Sequence, residues 1–296
     1  EEVLDLDVEY VKRSPTYVPA PSGLTTPDAN LSVPLAEIPK VVNLLLEAEP
    51  STHEILLRKL TATFWMTGDE ARVAFVDTGG VQAWTSTIWH DMSDEETQLA
   101  ALEMMFALAT SHPDCQYPWL SGDVVDQAID ALLIVMQTLI TCEMVQVTGC
   151  RVLASLAAAS GHNELVNDGT MSGAVITTLN ALDMHGKSED MQEWGIRTLY
   201  VQCSSSRHSR NNKWTLVDAK LDSGKTGIMV VAGSLEMASS NLFLAEGVCM
   251  LYWCLSSSIQ AARSLSGSIE GPIQTMIELV RKYGKLRDAC LLLEST

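Results

Sequence analysis

Residues 98–109 read Q-L-A-A-L-E-M-M-F-A-L-A: Gln98, then Ala101 and Leu102 at +3 and +4, Met105 and Phe106 at +7 and +8, and Leu108 and Ala109 at +10 and +11. Apolar residues at +4, +7, +8 and +11 form one stripe of a 3.6-residue helix, and the small residue at +3 lets a neighbouring helix come close. The same offsets give Gly149, Cys150, Leu153, Ala154, Leu156 and Ala157 from Gln146, and Gly195, Ile196, Leu199, Tyr200, Gln202 and Cys203 from Gln192. From Leu244 they give Gly247, Val248, Leu251, Tyr252, Cys254 and Leu255, with a weaker copy from Leu56 and a clipped one from Leu286. The anchors at 56, 98, 146, 192, 244 and 286 lie 42 to 52 residues apart, the period of stacked helical repeats.

A second helical phrase precedes each anchor, starting at Ile38, Val81, Val125, Val175, Ile228 and Ile273. Two registers with one drifting period predict a repeated helical hairpin. Between hairpins lie glycine-bearing segments, 70–80 (EARVAFVDTGG) and 163–173 (NELVNDGTMSG), each expected to be a brief helix closed by glycines suited to a left-handed cap. These motifs resemble the armadillo family over about residues 35–296, with the related HEAT class as the nearest alternative. The resemblance implies an all-α, right-handed α-α superhelix whose third helices line a concave groove. It also implies an armadillo-like solenoid over 35–296 of about five units with a partial one at the C-terminus, while residues 1–34 are expected to be an extended acidic, proline-rich arm.

The family members that carry nuclear-import cargo place Trp at +5 and Asn at +9 of the third helix. Here +5 holds Thr61, Glu103, Arg151, Arg197 and Cys249, and +9 holds Trp65, Ala107, Ser155, Val201 and Trp253. With no Asn ladder, the resemblance does not extend to reception of basic signal peptides. Arg151 and Arg197, at equivalent positions, are expected to form a two-rung cationic ladder facing an acidic segment of a partner or of the chain's own first nine residues. Trp253 joins them as a candidate protein-binding residue.

The first 34 residues carry five of the ten prolines, and five acids fall within the first ten positions, a composition that cannot support a helical pair. The net charge of −18 argues against nucleic acid, because phosphate binding needs a concentrated basic field. No run of 18 apolar residues is present, so direct membrane insertion is not expected; 131–140 is too short and reads as a buried back helix. The seven cysteines fall mostly on core offsets (Cys150, Cys203, Cys254, Cys290), as small apolar residues of a reducing compartment. The cytoplasm is the default, and an organelle after removal of a targeting segment is the alternative.

Few constellations look chemical. Residues 219–226 (AKLDSGKT) satisfy a loose phosphate-loop pattern, with Lys225 for the phosphates and Thr226 for magnesium. That chemistry needs a preceding strand, for which only 214–217 is available. The six histidines are dispersed without metal-ligand spacing, and Asp94, Glu95 and Glu96 suit a helix N-terminus. No cofactor or metal is expected, and no enzymatic activity. The segment between Cys203 and Lys225 reads as a long loop in which Arg207, Arg210, Lys213 and Trp214 form a candidate partner-binding surface. Trp214 either anchors a partner or plugs the gap between units. The sequence thus points to a non-enzymatic protein-binding scaffold or subunit of a larger assembly, using the solenoid surface and the 204–226 loop; a nucleotide-binding regulator acting through 219–226 is the alternative.

Overall fold

The computed structural model describes residues 31–90, 92–110, 123–160, 168–204, 209–238 and 241–256. These form twelve α-helices in chain order: α1 (Ile38–Glu47), α2 (His53–Thr67), α3 (Asp69–Asp77), α4 (Gly80–His90), α5 (Glu95–Ala109), α6 (Asp123–Thr138), α7 (Glu143–Ser160), α8 (Asp168–Met184), α9 (Glu189–Ser204), α10 (Ser209–Asp218), α11 (Gly227–Ala238) and α12 (Leu242–Ser256). The described residues contain no strand, only an isolated bridge between Lys220 and Thr226. The chain is all-α. It divides into two compact units, Glu1–Val166 and Asn167–Thr296.

In the first unit α1, α4 and α6 pack in series, and α2, α5 and α7 pack in a second series. Arg58 meets Glu103, and further along the same two helices Trp65 meets Phe106 with ring centroids 6.4 Å apart, so α2 and α5 run parallel. In the second unit α8 and α11 contact one another, α9 packs on α12, and α10 lies against α8 and α9. Ile196 sits beside Gly247, and the Cys254 thiol donates to the Cys203 carbonyl at 3.3 Å, a constant offset that keeps α9 and α12 parallel in register.

Five of the six expected hairpins are present, the one expected from Ile273 and Leu286 lying outside the described residues, and in three of them a buried glutamine ties the two helices. Gln98 Nε2 donates to the Ile88 carbonyl at 3.1 Å. Gln146 Nε2 donates to Met136 O at 2.8 Å and Leu139 O at 2.9 Å; Gln192 Nε2 donates to Leu182 O at 3.0 Å and His185 O at 3.4 Å. The last carbonyls of a helix have no intrahelical partner, and in a buried turn water cannot supply one. The anchor glutamine supplies it from ten residues downstream. The +3 glycine completes the joint. A Cβ at Gly149 would stand 2.6 Å from Met136 Sδ, and one at Gly195 would stand 2.5 Å from Leu182 Cδ2. The residue whose carbonyl the glutamine holds is therefore the one whose side chain rides over the glycine.

The boundaries follow local chemistry. Asp94 caps α5, accepting from the Glu96 amide at 3.3 Å and from the Thr97 hydroxyl at 2.6 Å. Gly79, at φ 80°, closes the brief helix α3 as expected. The second such segment differs: 168–173 runs on into α8, and 161–167 lie outside the described residues. The back helix over 131–138 is buried at Ala131, Leu132, Val135 and Met136. Cys150, Cys203 and Cys254 are core residues, and no disulfide joins the described cysteines. Of the expected arm, residues 1–30 lie outside the description, while Val33 is buried and its amide donates to Thr63 Oγ1 at 2.8 Å.

Candidate functional site

Packing on both sides leaves the anchored helices only a thin strip of solvent. Between Thr97 and Leu108 of α5 the residues that escape full burial are Leu99 and Glu103; between Val145 and Ala157 of α7 they are Arg151 and Ser155. Between Met191 and Cys203 of α9 they are Glu193, Trp194 and Arg197. The +5 residues Glu103 and Arg151 thus escape full burial in the first unit, and Arg197 does so at the same offset in the second. The outer positions depart from it: Thr61 and Cys249 are buried, and α12 presents Met250 and Trp253 instead.

In the first unit the strip carries a charge cluster. Arg58 Nε binds Glu54 at 2.7 Å and its Nη1 reaches Glu103 at 3.5 Å. Burial pushes the Glu103 carboxyl above the ordinary glutamate range, opposed by the positive charges of Arg58 and Arg151. Arg151 is therefore felt by a carboxylate of its own unit. In the second unit the strip is aromatic: the Arg197 guanidinium lies 5.2 Å from the Trp194 ring centroid, a cation–π pair one helical turn apart. Arg151 and Arg197 belong to different units, and each presents a guanidinium on the strip of its own. Among the described residues no group of three or more His, Cys, Asp or Glu could hold a metal ion.

The segment 204–226 is not one continuous loop. Residues 209–218 form α10, with Asn212 and Leu216 buried. Asn212 Nδ2 donates to the Gln202 carbonyl at 2.8 Å, the same ten-residue tie that the glutamines make. This bond and the burial of Leu216 hold a helix whose Ser, Arg and Asn composition signals a turn. Arg207 lies outside the described residues. Arg210 and Trp214 are exposed on α10, with Lys213 partly so. Trp214 is 43% exposed, which excludes a buried plug between units.

The phosphate-loop match takes a different form. The expected strand at 214–217 is part of α10, and 219–227 is a turn that satisfies itself. Leu221 N donates to Lys225 O at 2.9 Å, Gly224 N to Leu221 O at 2.9 Å, and Gly227 N to Ala219 O at 3.2 Å. Lys225 Nζ binds Asp183 Oδ1 at 2.6 Å. Burial alone would raise the Asp183 carboxyl; hydrogen bonds from Lys225 and Ser223 and the Lys225 charge outweigh it and hold the value below the ordinary range. Amides and lysine are thus turned to the chain's own acceptors, and the phosphate-cradling arrangement is not formed.

Sequence reasoning missed the glutamine tie. The signal was available: Gln stands at the anchor position of three repeats where the other anchors are Leu, and a buried amide demands a partner. Comparison with protein-family models, with curated proteins and with solved structures gives no match.

Proposed function

We propose that this chain is a non-enzymatic protein-binding scaffold, or a structural subunit of a larger assembly, built as an armadillo-like right-handed superhelix. The observation that carries this reading is the strip on the anchored helices. Helices packed on nearly every side still leave charged and aromatic residues short of full burial, Glu103 and Arg151 in the first unit and Glu193, Trp194, Arg197 and Trp253 in the second. Partly desolvated Arg and Trp side chains are the composition of interface hot spots, and a repeat stack offers many shallow contacts along its length. The exposed face of α10, with Arg210, Lys213 and Trp214, adds a second surface of the same chemistry.

The test is affinity capture from native lysate with the tagged full chain. Replacing Arg151 and Arg197 with Glu, or Arg210, Lys213 and Trp214 with Ala, should each remove a distinct set of partners. Because Trp214 is exposed, Trp214→Ala should shift stability by only about 0.5 kcal/mol. Identical recovery by wild type and both variants rules out these surfaces.

A further inference from the structure

Large apolar side chains are exposed at one end of the first unit, and the charge around them is of one sign. Leu46 closes α1, Ile55 lies in the first turn of α2, and Trp89 stands near the end of α4; they are 53%, 54% and 50% exposed. Since α2 and α5 run parallel and α1 packs on α4, the α1–α2 and α4–α5 turns lie at the same end. Exposed apolar side chains of this size, gathered at one end of a unit, mark an interaction surface. Glu47, Glu49, Glu95 and Glu96 are exposed in the same two turns. No Lys or Arg occurs in 47–57 or 89–99, and the next cation along α2, Arg58, is engaged by Glu54 and Glu103. The α6–α7 turn carries a similar pair, the exposed Glu143 and Met144.

Helix N-termini account for acids at Glu95 and Glu96, but not at Glu47, which ends α1 where a negative charge opposes the macrodipole. Nor does capping explain exposed Leu46, Ile55 and Trp89. We propose that this end of the first unit docks a basic amphipathic helix of a partner protein, its apolar stripe on Leu46, Ile55 and Trp89 and its Lys or Arg residues on the acids of the two turns. Charge decides among occupants. An anionic membrane surface or nucleic acid would be repelled by these acids, and a second copy would bring like charge against like. A basic amphipathic helix meets both demands, the apolar anchors supplying affinity and the charges steering and orienting it.

The proposal rests on the scaffold reading and narrows it to one surface and one partner chemistry. Fluorescence anisotropy of a labelled Lys/Leu amphipathic peptide against the full chain tests it. Wild type should bind this peptide and not its Glu/Leu counterpart, with weakening at high salt. Both Leu46→Ser/Ile55→Ser/Trp89→Ser and Glu47→Lys/Glu49→Lys/Glu95→Lys should weaken binding at least about tenfold, while Met66→Ser/Val73→Ser, at other exposed apolar positions, should not. Trp89→Ser alone keeps the test valid should the triple variant fail to fold, which circular dichroism reports. Absence of preference for the basic peptide overturns the proposal. So does equal loss in the Met66/Val73 variant, self-association abolished by the apolar triple variant, or binding to phosphatidylserine vesicles. Lysate partners kept by every variant, with peptide binding absent, remove this surface and leave the scaffold reading; intact peptide binding with no lysate partner does the reverse.

Discussion

The α6–α7 hairpin of the first unit and the α8–α9 hairpin of the second make the same joint from the same two residues, Gln146 with Gly149 and Gln192 with Gly195, yet finish it differently. Both glutamines donate to a pair of helix-terminal carbonyls. The acceptor half of the amide diverges: the Ser234 hydroxyl of α11 donates to Gln192 Oε1, whereas Gln146 Oε1, like Gln98 Oε1, is buried and accepts from no described donor. The neighbour over the glycine diverges as well, a flexible thioether chain at Met136 and a branched carbon at Leu182. The donor half of the joint is thus what defines the hairpin; the acceptor half is settled by whatever packs next to it.

The sharpest break of this comparison is the removal of the amide. Gln192→Leu takes the amide donor from the Leu182 carbonyl and the acceptor from the Ser234 hydroxyl, while the His185 carbonyl keeps the Ser188 amide, so denaturant unfolding should show a loss of about 2–3 kcal/mol. Gln146→Leu takes the donor from the Met136 carbonyl, the Leu139 carbonyl keeping the Cys142 amide, but also removes an unsatisfied oxygen, and should lose about 1–2 kcal/mol. Equal losses would mean that Ser234 contributes nothing. Next in size is the glycine pair. Gly195→Ala forces Leu182 aside and should cost about 1–2 kcal/mol. Gly149→Ala meets a methionine that can swing away and gains about 1 kcal/mol of helix propensity, so its thermal midpoint should stay close to wild type.

The smallest effect belongs to the strip. Because burial raises the folded-state value of Glu103 above its unfolded one, its contribution is fully present below the ordinary glutamate range and is lost as pH rises through the raised value. Glu103→Gln should remove that loss: its stability relative to wild type should increase modestly as the pH rises above the ordinary glutamate range. A difference independent of pH would place the carboxylate in a solvated setting. On α9 the Arg197 guanidinium lies over the Trp194 ring.

Which parts of the molecule were legible followed from what periodicity encodes. A repeat with small residues at fixed offsets reports which face is buried, and Ala101, Cys150, Leu153, Ile196 and Leu199 are accordingly in the core. It does not report where a buried polar group sends its hydrogen bonds, because the carbonyl that Gln146 holds carries no side-chain signature. Residues 209–218 were misread for a related reason. Two buried positions in ten give no apolar stripe, and local composition favoured a turn until Asn212 found a helix end outside its own segment. The strip was legible as a register and not as a set of partners: Arg58 precedes the +5 position by three residues on its helix, and the offset pattern gave it no role.

The ten-residue span of the glutamine tie bears on the order in which the chain folds. Closing so short a loop costs little entropy, so each hairpin can form its joint before any contact is made with a neighbouring repeat, and low contact order favours rapid folding. The amide hydrogens that lead into these held carbonyls belong to the last turns of α4, α6 and α8, where fraying normally exposes them. In hydrogen exchange those last turns should behave as interior ones, opening only when the whole hairpin opens.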